Sequence, residues 1–267
     1  MIWVMPEGGL CNRMRVVASS LLLARASGQR LGVHWLQTCD FNARFDALFE
    51  TTGLPFDLRE GRARSTPAKA LSRTREWVAR LRGAVVLLPA QTEPGAFDIA
   101  EQARRIGRRD VFIRTNSRLG WRAGMFDIFK LGLPAREALA RLQPRLDGSV
   151  GVHIRGTDNV RAAAESTVER FEALMHLELD AHPDSQFFVA TDEPAALGQL
   201  QRTFGQGVWE HPKRAYDRDN PTAIFDALVD LYALANTRRL IGSYWSSFTD
   251  TAADIHGIGC VIARASP

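Results

Sequence analysis

The segment GVHIRGTDNV at 151–160 places His153, Arg155 and Asp158 directly behind an apolar run that is typical of a buried strand. The planar guanidinium of an arginine matches a diphosphate, and a neighbouring aspartate can orient it or hold a sugar hydroxyl. An ordinary ion pair and a buried core histidine account for the same residues. Taken alone, the segment therefore leaves a binding site and a structural role open.

Three further segments place polar residues where a strand leads into a helix. Gly8 and Gly9 do so in PEGGLCNRM, Asp192 in VATDEP, and Ser246 and Ser247 in IGSYWSSFTDTA. Glycines let a backbone approach a ligand closely, and a helix N-terminus offers free N–H groups to an anion. A tight turn and ordinary N-caps explain each segment by itself. Ligands of open α/β sheets bind beyond the carboxyl ends of strands, so the four strand ends together predict a site.

Strand-like and helix-like segments alternate along the chain, which predicts parallel sheets covered by helices. In the first half, strands are predicted at MIWVMP, RLGVHW, GAVVLLPA and DVFIRTN, with helices at LCNRMRVVASSLLLARAS and DIAEQARRIG. A helix at 133–146 precedes five strand signals: SVGVHIR, QFFVATD, GVWEH, RLIGS and GCVIA. Helices are predicted between most of them, at 168–181, from Pro194, at 222–236 and from Ser247. We therefore predict a GT-B-like α/β fold of two Rossmann-like domains, residues 1–146 and 147–267, facing across a cleft.

Composition bounds the class of protein. The 267 residues are 45% hydrophobic and 24% charged, and no apolar run of 18 residues occurs, so we expect a soluble chain without a transmembrane segment. The start of the sequence lacks the pattern of a secretory signal, so we expect a cytoplasmic location. The three cysteines have no C-x-x-C spacing, which argues against a zinc site.

The net charge of +4 favours an anionic partner without identifying it. We interpret the arginine-rich segment at 58–83 as a solvated helical face. A basic nucleic-acid-binding protein is the alternative of another class, but aromatic residues are not interleaved with this segment, so no nucleic-acid partner is expected. The D-x-D pattern at 217–219 is short enough to arise by chance, and no metal ligands are predicted.

The order of GGLCNRMRVVASSLLLARASGQRLGVHW, HIRGTD, FVATDEP and ALVDLYALANTRRLIGSYWSSFTDTA resembles the GDP-fucose-dependent fucosyltransferase superfamily. This superfamily includes the nodulation fucosyltransferases, the α-1,6-fucosyltransferases and the protein O-fucosyltransferases. The resemblance covers the first segment and most of 148–255, and it leaves 36–132 unmatched. It implies an inverting, metal-independent transfer of fucose from GDP-fucose, the donor substrate, with no cofactor. It also implies a first domain on the acceptor side and a second that binds the nucleotide sugar.

The resemblance implies a role for individual residues. Arg155 is expected to bind the β-phosphate of the donor, His153 to lie beside the guanine, and Asp158 to support the donor site. The remaining expected donor contacts are Asp192, Asp230 on the guanine, Ser246 and Ser247 on the pyrophosphate, and Gly8, Gly9 and Asn12 facing the sugar.

The catalytic base is left open by the resemblance. The α-1,6 enzymes carry a glutamate five residues after the motif aspartate, where this chain has Ala163. Glu165 is the expected substitute, and Glu7, Asp192 or the donor phosphate are alternatives. Gly156 stands where the α-1,6 and nodulation enzymes have a second arginine, which weakens the transfer of their acceptor specificity. We expect a saccharide acceptor and, as an alternative donor, GDP-mannose or a heptose nucleotide.

Overall fold

The computed structural model describes residues 1–62, 77–78, 84–87, 97–156, 164–215 and 219–264. The chain divides into two compact units, 1–133 with 217–225 and 134–216 with 226–267. The division falls at the first residue of the helix at 133–146, whereas the predicted domain boundary lies at the end of that helix. No helix within the described ranges is long and apolar enough to cross a membrane.

The first unit is built on a parallel five-stranded sheet. Its elements are β1 (Ile2–Pro6), α1 (Leu10–Ala26), β2 (Leu31–Gln37), β3 (Asp57–Arg62), β4 (Val85–Leu87), α2 (Ile99–Ile106) and β5 (Val111–Thr115). The strand order is β3-β2-β1-β5-β4, and every pairing is parallel. The strands β2 and β3 lie on one side of β1 in the sheet, and β5 and β4 lie on the other side. The carboxyl ends of β1 and β5 therefore form the switch point at which such sheets bind ligands.

The prediction of a solvated helical face over 58–83 is wrong at its start, because the structure forms β3 there. This strand pairs with β2 from Asp57 to Arg62 at the edge of the sheet. Arg59 covers the ring of Trp3 at 4.2 Å, and Arg30 binds the Asp57 carboxylate. A charged edge strand lacks the apolar alternation by which strands are usually found, and charge protects such an edge from pairing with other chains. Apart from 77–78, residues 63–83 lie outside the described ranges.

The second unit is also a parallel five-stranded sheet with helices. It contains α3 (Leu133–Leu146), β6 (Val150–Ile154), α4 (Val168–Ala181), β7 (Phe187–Thr191), α5 (Pro194–Phe204), β8 (Val208–Trp209), most of α6 (Pro221–Ala235), β9 (Arg239–Ser243), α7 (Ser247–His256) and β10 (Cys260–Ala263). The strand order β10-β9-β6-β7-β8 is that of a Rossmann half. The predicted α/β class with two Rossmann-like halves is confirmed.

The core of the second unit explains why its strands read as continuous apolar runs. Every residue of β6 and β7 is buried, as expected for central strands covered on both faces. Phe171 and Met175 of α4 and Leu200 of α5 complete one side of this core. The order of strands puts the switch point of this unit between β6 and β9, where Arg155 follows the last residue of β6.

Candidate functional site

The carboxyl ends of β6 and β7 bring Arg155 and Asp192 into direct contact. Arg155 Nη1 donates to Asp192 Oδ2 at 2.8 Å, and the backbone N–H of Gly156 donates to Asp192 Oδ1 at 3.0 Å. One carboxylate thus orients both the guanidinium and the backbone that carries it. The two side chains remain 21% and 26% exposed, so the pair is accessible to a ligand. An oriented, accessible guanidinium is suited to binding a diphosphate.

The end of β9 fixes the same backbone from the other side of the switch point. Ser243 Oγ accepts the backbone N–H of Arg155 at 2.8 Å and donates to the carbonyl of His153 at 3.1 Å. Sequence reasoning missed Ser243, because a serine at the end of a strand carries no signal of its partner. Arg155 is therefore held at its backbone by β9 and at its side chain by Asp192.

His153 is buried as a neutral imidazole against α7. Its Nδ1 lies 2.7 Å from Thr249 Oγ1, and its ring stacks on Phe248 with centroids 4.7 Å apart. Burial, reinforced by the positive charge of Arg155, lowers the pKa of His153 to about 3. The ring is consequently uncharged at neutral pH and contributes shape and hydrogen bonding rather than charge.

The serines predicted to contact a pyrophosphate lie at the start of α7. Ser246 is buried and is the N-cap, with its Oγ accepting the backbone N–H of Thr249 at 3.5 Å. Ser247 is the first residue of the helix. Trp245, just before the cap, has a φ of +53° and an exposed side chain. A bulky residue in the left-handed region stores strain, which is characteristic of functional loops.

Asp230 lies inside α6 and pairs with Lys213, which follows β8. Asp230 is 3% exposed, and its Oδ2 lies 3.1 Å from Lys213 Nζ, which is also buried. Burial raises the pKa of Asp230 to about 7, against the lowering effect of Lys213. Within the described part of the chain, Asp230 Oδ1 has no hydrogen-bond partner although it is fully buried. A buried acceptor without a donor is costly unless a ligand supplies one.

The turn between β1 and α1 places the predicted glycines of the first unit. Gly8 has a φ of +77°, and a Cβ there would lie 2.9 Å from the Asn12 amide nitrogen. Gly9 is the N-cap of α1 in extended backbone. Arg13, which sequence reasoning missed, is buried and donates from Nε to the Gly8 carbonyl at 2.8 Å. Burial, beside the ring of Phe41, lowers the pKa of Arg13 to about 9, and its bond to the Gly8 carbonyl fixes the turn.

The candidate bases occupy different settings. Glu165 is 48% exposed, with its carboxylate 3.9 Å from Arg170 Nη1. Glu7 lies 3.2 Å from Arg114, and both Asp192 oxygens accept hydrogen bonds. Asp158 lies outside the described residues.

The departure at Gly156 has a structural counterpart in the next strand end. A Cβ added to Gly156 would overlap the carboxylate of Glu193. The space that a side chain at this position would need is therefore filled by Glu193. A second arginine at this position does not fit without moving the Glu193 side chain.

The described residues contain no group of three or more histidine, cysteine or acidic side chains arranged to hold a metal ion. Of the D-x-D pattern at 217–219, only Asp219 is described, and its backbone carbonyl accepts a hydrogen bond from Asn42.

Solved structures with a similar fold include fucosyltransferases. The chain resembles the α-1,6-fucosyltransferase NodZ soaked with GDP-fucose, at 19% identity and a TM-score of 0.59, over 95% of this chain and 92% of that one; a NodZ from Bradyrhizobium gives a TM-score of 0.57 at 18% identity, over 94% and 91%. FUT1 of Arabidopsis thaliana in complex with GDP gives a TM-score of 0.63 at 14% identity, over 98% of this chain and 69% of that one. The chain has the fucosyltransferase fold. POFUT1 in complex with GDP is similar at 8% identity and a TM-score of 0.55, over 98% and 97%.

Comparison by sequence alone finds less. No protein-family profile matches the chain, and no curated protein matches it either. The similarity is therefore seen in the fold, at sequence identities of 8–19%.

Proposed function

We propose that this protein is a glycosyltransferase that transfers fucose from GDP-fucose to a saccharide acceptor with inversion at the anomeric carbon. The observation that carries the proposal is Arg155, held by Asp192 at the switch point of a Rossmann half, in a fold shared with enzymes solved with GDP and GDP-fucose. Such a position suits the diphosphate of a nucleotide sugar. The second unit is then the donor-binding half, and the first unit receives the acceptor.

The chemistry is a direct displacement. The acceptor hydroxyl oxygen forms a bond to C1 of fucose while the bond from C1 to the phosphate oxygen breaks, and GDP leaves with that electron pair. Negative charge grows on the diphosphate as the sugar takes on oxocarbenium character. Arg155 and the N–H groups at the start of α7 stabilise this charge, which is the largest contribution that a fixed site makes to such a reaction.

The proton of the acceptor hydroxyl passes to a carboxylate or to the departing phosphate. Asp192 is engaged by Arg155 and Gly156, which suits a positioning role. Glu165 and Glu7 remain the candidate bases, and a donor phosphate is the third acceptor of the proton. We propose that the reaction needs no metal and no cofactor beyond the donor. The expected cytoplasmic location and the role in glycan synthesis belong to this proposal and rest on the sequence alone.

The proposal is tested by assaying GDP release from GDP-fucose with a panel of saccharide acceptors in the presence of EDTA. Acceptor-dependent GDP release, with a product of inverted anomeric configuration by NMR, is the expected result. GDP-mannose and a heptose nucleotide serve as competing donors. Turnover of either in preference to GDP-fucose overturns the donor assignment, and turnover that requires a divalent cation overturns the mechanism.

A further inference from the structure

The pair formed by Lys213 and Asp230 is a buried ionic contact that the catalytic chemistry above does not use. Lys213 follows β8 and reaches α6, where its Nζ lies 3.1 Å from Asp230 Oδ2 and 3.5 Å from Glu210 Oε2. Its side chain is 7% exposed. The contact to Glu210 is at the outer limit of hydrogen bonding, so Asp230 is the more closely bound of these two carboxylates. A lysine this deeply buried is unusual and needs a specific reason.

Lys213 lies close to the residues expected to meet the base. Its positive charge acts on the buried ring of His153, whose pKa it helps to lower. Lys213 therefore lies within electrostatic reach of both His153 and Asp230, the two side chains expected beside the guanine. Asp230 Oδ1 has no hydrogen-bond partner and is an acceptor, and the Lys213 ammonium beside it is a donor. The two groups therefore form a buried donor–acceptor pair.

That combination has a chemical complement. The six-membered edge of guanine and hypoxanthine presents the O6 acceptor beside the N1–H donor, whereas adenine presents an amino donor beside the N1 acceptor. An ammonium and a carboxylate oxygen side by side satisfy the first pattern and oppose the second. Rejection of the wrong pattern is strong in a buried site because the unmatched polar groups stay without partners.

We propose that Lys213 is a specificity-determining residue, which donates to O6 of the base while Asp230 Oδ1 accepts from N1–H. The inference rests on the proposed function, since it concerns the base of the same donor. It goes further in naming the determinant: the keto group and N1–H select the nucleotide, and the 2-amino group of guanine contributes little. Lys213 holds Asp230 Oδ2, so Oδ1 is left as the acceptor for the base.

A series of nucleoside diphosphates tests this on the unaltered protein by calorimetry. We expect IDP, which lacks only the 2-amino group, to bind within about threefold of GDP. We expect ADP and 2-aminopurine riboside diphosphate, which both lack O6 and N1–H, to bind at least about tenfold more weakly than GDP. IDP binding more than about tenfold weaker than GDP, with the 2-aminopurine nucleotide retained, overturns the proposal without any variant.

Two substitutions test the role of the lysine itself. Lys213→Met removes the donor, so we expect the preference for GDP over ADP to fall about tenfold or more, whereas Lys213→Arg keeps a donor and retains the preference. Lys130→Met makes the same charge change on the exposed surface of the first unit and leaves the preference intact. A folded Lys213→Met protein with unchanged base preference overturns the proposal.

The outcomes separate this inference from the proposed function. If the unaltered protein binds no guanine nucleotide, the proposed function fails. If it binds and turns over GDP-fucose while IDP is rejected or Lys213→Met keeps the preference, only the assignment of Lys213 fails.

Discussion

His153 contributes to the site as a neutral, immobilised ring. It is enclosed by Phe248 and bonded to Thr249, and its low pKa follows from burial and from Arg155. In the sequence, His153 is a histidine within an apolar strand, and this pattern is compatible with a core residue and with a binding-site residue. The structure gives it features of both: it is a core residue whose carbonyl side is bonded to the Ser243 that also fixes Arg155.

We predict that the His153 ring does not titrate between pH 5 and 8. The folded pKa of about 3 lies below the unfolded value of 6.5, so the unfolded chain takes up the proton first. The contribution to stability is complete above pH 6.5 and is lost as the pH falls toward 3. Constant NMR shifts of the ring protons over pH 5–8 are the expected result, and a titration midpoint near 6.5 would contradict burial of the ring.

Asp230 predicts a second pH effect with the opposite sign. Its pKa is raised from 3.8 to about 7, chiefly by burial, with Lys213 lowering it and Glu210 and Asp226 adding smaller upward effects. Its contribution to folding is present below pH 3.8 and is lost as the pH rises through 7. The ionised carboxylate accepts a base N–H more strongly than the protonated form does, so we expect GDP affinity to increase between pH 6 and 8.

The control for this prediction is Asp230→Asn, which has no ionisable group at that position. Its remaining pH dependence belongs to the phosphates of GDP, whose ionisation falls near pH 6. When GDP affinity is measured by calorimetry and plotted against pH, the unaltered protein and Asp230→Asn should therefore give different slopes. Equal slopes would show that Asp230 does not titrate with the ligand.

At the scale of elements, β9 and α7 are locked together by one glycine. A Cβ at Gly242 would overlap the Thr249 methyl group, so only glycine lets α7 pack this closely on the strand. We predict that Gly242→Ala lowers the free energy of unfolding by about 1–3 kcal/mol and weakens GDP binding by displacing α7. Denaturant unfolding measures the first effect and calorimetry the second.

Gly259→Ala is the matched control for that substitution, because no atom lies within 4 Å of the Cβ position at Gly259. Its unfolding free energy and GDP affinity should stay close to those of the unaltered protein. A Gly242→Ala protein indistinguishable from this control would contradict the close packing of α7 on β9.

Elements with strong local patterns were predictable from the sequence. Sequence pattern identifies the strands β6 and β7 and the helix α1, because burial determines the composition of these elements. The edge strand β3 was not predictable, because its pairing with β2 depends on backbone bonds rather than on apolar residues. The contacts of Arg155 with Asp192 and of Asp230 with Lys213 could not be predicted from sequence pattern either. They join segments that are brought together only by the tertiary fold.

At the scale of the whole molecule, two Rossmann-like units offer two switch points, one in each sheet. The second carries the oriented arginine, the neutral histidine and the buried acceptor, all within one unit. The first carries the Gly8 turn fixed by Arg13. This distribution supports the proposal that the second unit binds the donor and the first the acceptor.

The central claim, that Arg155 binds the diphosphate of a guanine nucleotide, is tested most directly by calorimetric titration with GDP in the presence of a chelator. We predict binding that survives chelation and weakens at least about tenfold in Arg155→Ala, since a charge-assisted bond is lost. Arg202→Ala, an exposed arginine of α5, should bind GDP like the unaltered protein. Absence of GDP binding under chelation, or equal affinity in Arg155→Ala, would contradict the account.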